Sequence, residues 1–402
     1  MSAGDAVERV PRVHARTVAR YGAIAGIIGL VPLAIGVGSE PRRALAAYLF
    51  AYATVLTVVL GALIQLMMGH VSAARWFTVL RRLTLGATGA LPALVILAIP
   101  LLAGVRILYP WATPSALPGA MRALIARKHG WLDVGFFIAR GVLYLVLWLA
   151  VSAPIRHWSL RQDRADGEEA VMLARRLRRA SAVGLIVVGL ALTFAAFDWL
   201  MSLEPAWYST IYGVYVFAGG YLAALALIAV VAWAESRRGG SLDWAVTPEH
   251  FGALGKLLLT FVIFWGYIGF SQYLIIWIGD VPGDVSWYVA RAHGSWGALA
   301  LVVAAGQFAL PFLLLLPREL KRRPGFLAAL GAWLLVMHVL DVYWLVLPAL
   351  HPDGIHPSWL DAGALLMVTG FATATAAWRA AGEPALPLGD PYVEASVRYV
   401  EP

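Results

Sequence analysis

Phe197-Asp198-Trp199-Leu200-Met201-Ser202-Leu203-Glu204-Pro205-Ala206-Trp207-Tyr208-Ser209-Thr210-Ile211-Tyr212 joins two long apolar runs, 181–203 and 211–235. Each run is long enough for a membrane span, which takes about 20 residues of helix. The stretch between them is short and rich in aromatic residues, with one proline, and reads as a tight turn at the membrane surface. Asp198 lies inside the first run. A carboxylate at that depth costs roughly 2.5–3.5 kcal/mol on insertion scales, so it needs a partner or a task.

The same reading extends over the whole chain. Of its 402 residues, 61% are hydrophobic and 13% charged, where a soluble domain carries about 25% charge. About ten transmembrane helices are expected, near 20–38, 44–69, 86–108, 132–153, 181–203, 211–235, 253–278, 295–316, 325–349 and 360–379. The fold class is an all-α membrane protein in one polytopic domain, 1–402. Its extramembrane parts are an N-terminal segment (1–19), a partly helical linker (154–180) and an extended tail (380–402). The basic run from Arg9 to Arg20 precedes a long span with no small-residue cleavage pattern, so the first helix is expected to be retained. There is no cysteine, which excludes disulfides, Cys-ligated iron–sulfur clusters, thiolate zinc sites and covalent c-type haem.

The formal charge is +8, but the basic residues are concentrated in alternate loops. One set holds Arg9, Arg12, Arg16 and Arg20, then Arg75, Arg81 and Arg82, the run from Arg156 to Arg179, Arg237, Arg238 and Lys256, Arg318 to Arg323, Arg379 and Arg398. The opposite set is sparse. This asymmetry points to topology rather than nucleic-acid binding and puts both termini in the cytoplasm. Most of the Trp and Tyr at the outer helix ends are expected in the interfacial belt.

Helix five carries Asp198 seven residues before Pro205, and helix nine carries Asp341 seven residues before Pro348. This suggests a parallel repeat of two four-helix bundles, helices 2–5 and 6–9, flanked by helices 1 and 10. At 1.5 Å of rise per residue, Asp198, His338 and Asp341 fall in the outer half, level with Arg140, Ser271 and Gln272. His338 and Asp341, three apart, share a helix face. These groups are expected to form one buried constellation, in which Arg140 holds one acid ionised while the other exchanges protons with His338. A static Arg–Asp pair locking helices together is the plainer alternative. Gln307 near the midplane, with Gln65, His70 and Lys256 toward the cytoplasm, would make an inner half-path. A bis-His haem is not expected, because His70 and His338 differ in depth. His129, His293, His351 and His356 read as loop residues facing water or partner proteins, and no metal-ligand spacing stands out.

Phe197 through Pro205, followed by Trp207-Tyr208-Ser209-Thr210 and Gly213-Val214-Tyr215, resembles the smaller NrfD-like membrane subunit, the ActF type, of bacterial alternative complex III. The similarity continues at Phe270-Ser271-Gln272-Tyr273-Leu274-Ile275-Ile276-Trp277, at Pro282 through Trp287-Tyr288 to Arg291, and in the tail at Gly389 through Ser396. The resemblance implies a multi-pass subunit of a quinol:cytochrome c (electron acceptor) oxidoreductase in the bacterial inner membrane. It implies no cofactor on this chain, haem c and iron–sulfur clusters on partner subunits, and menaquinol or another quinol as the complex's substrate. The partners implied are a larger NrfD-like subunit, an iron–sulfur subunit, multihaem and monohaem cytochrome c subunits and small membrane anchors, often beside a terminal oxidase, with lipids around them and no nucleic acid. In that family the quinol pocket is assigned to the larger NrfD-like subunit, and the smaller is credited with a candidate proton path. The alternative is a secondary transporter coupling ions through Asp198 and Asp341, for which the mid-helix Pro92 and Pro100 are the best candidate helix breaks. A membrane-embedded transferase would need a larger outer loop.

Overall fold

The computed structural model describes residues 15–237 and 239–400. Arg9, Arg12 and Arg238, most of the 1–19 segment and the last two tail residues lie outside the described residues. Ten helices are long and apolar enough to cross a membrane: α1 (Arg16–Ser39), α2 (Pro41–Val71), α3 (Arg75–Ala103), α4 (Val134–Gln162), α5 (Gly167–Leu203), α6 (Tyr212–Ser236), α7 (Pro248–Gly279), α8 (Gly294–Leu315), α9 (Pro324–Ala349) and α10 (Trp359–Ala380). Among the described residues the chain is all-helical, and these ten helices make it a multi-pass membrane protein.

Two segments differ from expectation. The 154–180 linker is helical apart from 163–166, because α4 continues through Pro154 and α5 starts at Gly167. Its composition, rich in Arg, Leu, Ala and Glu, favours helix, and Glu168 and Glu169 suit the positive end of the α5 dipole. The α3 span is a series of short helices broken near Gly89, Ala98 and Gly104. Pro92 and Pro100 remove backbone donors there. Tyr48 and Tyr52 of α2 donate to the carbonyls of Leu97 (2.6 Å) and Leu94 (3.1 Å).

The buried centre is α2 crossing α6; of their most apolar windows, 89% and 72% are enclosed. A Cβ at Gly61 would lie 2.7 Å from the Gly220 carbonyl, so only glycine lets these two backbones meet. Around them, α5 and α10 lie on α2, while α9 and α7 lie on α6. The two terminal helices α1 and α10 pack along each other, with Gly26 against Gly370, the small-residue contact that membranes favour. Several aromatic residues expected in the belt are instead interior: Trp111, Trp199, Trp207 and Trp287 are buried, whereas Trp277 and Trp359 are exposed.

The tail from Gly382 to Val400 straps one end of the helix array. Glu383 pairs with Arg156, and Asp390 with Arg81. The Leu388 amide donates to Asp163 (3.1 Å), which also holds Arg82 at 2.5 Å. Further along, the Ser396 hydroxyl accepts from Val79 N (3.1 Å), and the Ser396 carbonyl accepts from His250 Nε2 (3.0 Å). The tail is thus not wholly extended: Val393–Val397 forms a helical turn that places Ser396. Ser396→Ala leaves the Val79 amide without its acceptor and is expected to cost about 1–3 kcal/mol. Thermal unfolding of the detergent-solubilised chain tests this; an unchanged midpoint would mean that the bond contributes nothing.

Candidate functional site: two buried carboxyl groups with separate surroundings

Asp198 is fully enclosed near the far end of α5, away from the strap. Its Oδ2 accepts from Arg140 Nε (2.8 Å) and the Tyr144 hydroxyl (2.7 Å), and its Oδ1 from Arg140 Nη2 (2.8 Å) and Trp131 Nε1 (2.9 Å). The guanidinium also lies 4.1 Å from the Trp131 ring centroid and 4.3 Å from that of Phe136. Four donors, two of them a parallel fork from Arg140, occupy the carboxylate. Arg140 and Tyr144 are one helical turn apart on α4, so a single helix face delivers three of the four. This is a clamp between α4 and α5, and it leaves Asp198 no free oxygen for transfer chemistry.

Asp341 has a different environment. Tyr215 of α6 donates its hydroxyl to Oδ1 at 2.6 Å, and the Trp265 indole and Gln307 amide lie beside the carboxyl group. None of these three is a cation. Gln307 lies in a π-helical turn of α8, Ala304–Ala309. Pro311, four residues on, has no N–H for the Gln307 carbonyl, which favours the wider turn there. The hydrogen-bond network assigns the amide so that its oxygen accepts from Trp265 Nε1 (3.1 Å) and its nitrogen donates to the Met337 carbonyl (3.2 Å).

One turn before Asp341, His338 Nε2 meets the Thr57 hydroxyl at 3.0 Å. That hydroxyl lies 2.8 Å from the Ala53 carbonyl, to which it donates. Its oxygen therefore accepts from His338, which puts the imidazole proton on Nε2. His338 Nδ1 is buried without a partner. A Cβ at Gly219 would lie 3.2 Å from Asp341 Oδ2 and 3.6 Å from His338 Nδ1. The carboxylate and the bare ring nitrogen thus converge on one point of α6, and a glycine occupies it.

Toward the far end the polar lining continues. Tyr212 is enclosed near Arg291, Glu204, Asp341 and Tyr288. Gln272 donates to the Tyr288 hydroxyl (2.8 Å) and accepts from Ser209 (3.0 Å). Burial pushes the Tyr288 phenol up to about 12, so it keeps its proton. Glu204 pairs with Arg291 at 2.5 Å and is 27% exposed, which brings this lining to the surface.

The expected single constellation is therefore corrected to two groups. Arg140 pairs with Asp198, while Asp341 is held by Tyr215 with His338 Nδ1 and Gln307 beside it. The two acids share none of their hydrogen-bond partners, because the Asp198 clamp is built from α4 and the loop before it, while Asp341 faces α6, α7 and α8. Gln272 belongs to the far-end lining. Ser271 only donates back to the Ile268 carbonyl of its own helix (3.2 Å). His70 meets Ser181 at 3.0 Å, Gln65 accepts from Tyr221, and Lys256 is exposed. Gln65 lies about 12 Å beyond Thr57 along α2 at helical rise, with the tight Gly61–Gly220 contact between, so the expected inner half-path is not continuous in this structure.

Sequence reading missed Tyr144, Tyr215, Thr57, Trp265 and Gly219. Tyr144 carried a signal, since it lies one helical turn from Arg140; Tyr215, Thr57 and Gly219 carried none. A cleft of about 440 Å³ beside Trp131, lined by Phe194, Phe197, Lys128 and Tyr208 among others, does not reach the Asp341 group. No protein-family model matches the chain, and no curated protein matches its sequence.

Proposed function

We propose that this chain is the smaller NrfD-like membrane subunit, of ActF type, of an alternative complex III, and that it carries protons through the Asp341 group. In this reading electrons travel on the haems and iron–sulfur clusters of partner subunits, and this chain binds no redox centre. Helices α2–α5 and α6–α9 form two related bundles, the strap end faces the cytoplasm with both termini, and the far end faces out. The Arg-rich loops and the paired Asp–Pro spacing of α5 and α9 support that arrangement.

The observation that carries the proton reading is the contrast between the two acids. Asp198 is held by a guanidinium. Asp341, equally buried, accepts from the neutral Tyr215 hydroxyl and lies beside the bare Nδ1 of His338 at Gly219. It can take up and release a proton without breaking an ion pair. His338 supplies the proton after Nδ1 has taken one up from the strap side: the transient imidazolium gives that Nδ1 proton to Asp341 through a side-chain rotation or one bridging water and returns to the Nε2–H form. From Asp341 the proton passes by Tyr215 and Tyr212 toward Tyr288, Gln272 and Glu204. On the strap side, water or a partner subunit has to bridge the stretch between Tyr221 and Thr57.

The transporter reading has less support. Its best candidate helix breaks, near Pro92 and Pro100 on α3, have carbonyls that accept from Tyr48 and Tyr52. Those groups are occupied rather than available to an ion. Purification of the chain from its native membrane under mild detergent tests the assignment. Co-elution with haem absorbance and iron–sulfur signal is expected. A colourless, solitary chain that takes up a solute in vesicles would overturn it.

A further inference from the structure

The loop between α9 and α10, residues 350–358, carries His351, Asp353 and His356. One ring nitrogen of each histidine and one oxygen of Asp353 lie within 4.8 Å of one another. The imidazole centroids are 5.0 Å apart, and His356 Nε2 is 3.1 Å from Asp353 Oδ2. His351 Nε2 is shut off from solvent and has no hydrogen-bond partner. Leaving such an atom unsatisfied costs free energy, and a bound ligand would recover it.

The backbone under these side chains is fixed. Trp296 Nε1 donates to the His351 carbonyl (2.7 Å), the Ile355 amide donates to Ser295 Oγ (2.8 Å), and Arg43 donates to the His356 carbonyl (3.3 Å). Arg43 is paired with Asp361 at 2.5 Å, so its charge is offset. Asp361 in turn closes a capping box with Ser358 at the start of α10. The loop thus holds its shape while the Asp353 and His356 side chains remain 73% and 55% exposed and free to turn.

We propose that His351, Asp353 and His356 bind a divalent transition-metal ion of the zinc class, with a fourth position open to water or to a donor from a neighbouring protein. Two imidazoles and one carboxylate make a three-ligand set of the kind that zinc takes in open sites, with Zn–N near 2.0–2.1 Å. Tetrahedral geometry puts ligand atoms about 3.3 Å apart. Rotation of the two exposed side chains closes the remaining distance. Mg²⁺ and Ca²⁺ prefer oxygen ligands alone and are disfavoured here. The site shares no residue with the Asp341 group, so it stands independently of the proton reading.

The test uses the full chain in detergent, with its affinity tag removed and stripped by a chelator. Zn²⁺ is titrated calorimetrically, and Co²⁺ is followed by its visible absorption. Wild type is expected to take one Zn²⁺ per chain and to give the intense spectrum of four-coordinate Co²⁺. Asp353→Asn and His356→Ala alter exposed side chains and are expected to fold normally. Losing an outer-shell partner already costs about 10–100-fold in affinity, so losing a ligand is expected to cost at least about a hundredfold. His351→Ala should do the same. Wild-type affinity in His356→Ala, no Zn²⁺ uptake beyond that of His351→Ala/His356→Ala, or a weak octahedral Co²⁺ spectrum would each overturn the proposal.

Discussion

Arg140→Leu is expected to prevent accumulation of the folded chain. Asp198 is wholly buried, and Arg140 supplies two of its four donors and the only cation among them. Removing one partner of a buried ion pair costs about 3–5 kcal/mol, because the other charge stays behind uncompensated. That is a large part of the roughly 5–15 kcal/mol by which a typical domain is stable. Arg140→Lys should recover only part of the loss, since an ammonium cannot make the parallel fork or stack on Trp131 as a guanidinium does. The variant Arg140→Leu/Asp198→Leu should recover more, because an apolar pair of similar bulk leaves no stranded charge. Yield and thermal unfolding in detergent read all three. A monodisperse Arg140→Leu with the wild-type midpoint would show that the clamp does not hold the fold.

The second large effect is on proton transfer, with stability spared. Asp341→Asn keeps the shape of the side chain and its acceptor for Tyr215, but removes the group that takes up a proton. Loss of a positioned acid or base typically costs 10²–10⁴-fold, so proton translocation is expected to fall about a hundredfold or more while electron transfer and assembly persist. Gly219→Ala makes the same point by geometry. Its methyl would sit 3.2 Å from Asp341 Oδ2 and 3.6 Å from His338 Nδ1, between the proposed donor and acceptor. Alanine is the better helix former by about 1 kcal/mol, which offsets some of the crowding. Proton release per electron in proteoliposomes, measured beside oxidoreductase rate, is the readout. An unchanged ratio in both variants would make Asp341 a structural acid.

Tyr215 is a less drastic position. Tyr215→Phe removes one hydrogen bond to a buried carboxylate, worth about 1.5–3 kcal/mol when the acceptor is charged. Slower proton transfer with a modest fall in unfolding midpoint is expected there. Full transfer rate would route the proton around Tyr215.

The span count and the positions of buried charge were legible in the sequence because bilayer thickness and the cost of intramembrane charge act on one helix at a time. A run of about 20 apolar residues and an acid within it announce themselves without reference to any neighbour. Depth put Arg140 level with both acids without saying which one it holds, and helical spacing put His338 beside Asp341. Helix rotation could not be read that way. Which face of α4 or α9 turns inward follows from contacts such as Gly61 on Gly220 and Gly26 on Gly370, which join residues far apart in the chain. Those contacts divided the expected constellation, giving Asp198 a cation and Asp341 a tyrosine hydroxyl beside a bare imidazole nitrogen. The sequence alone therefore determined that this chain carries about ten apolar helices long enough to cross a membrane, with acids inside them. The tertiary structure alone decided that one acid is clamped and the other is not, because partnership depends on distance between helices, and backbone packing sets that distance.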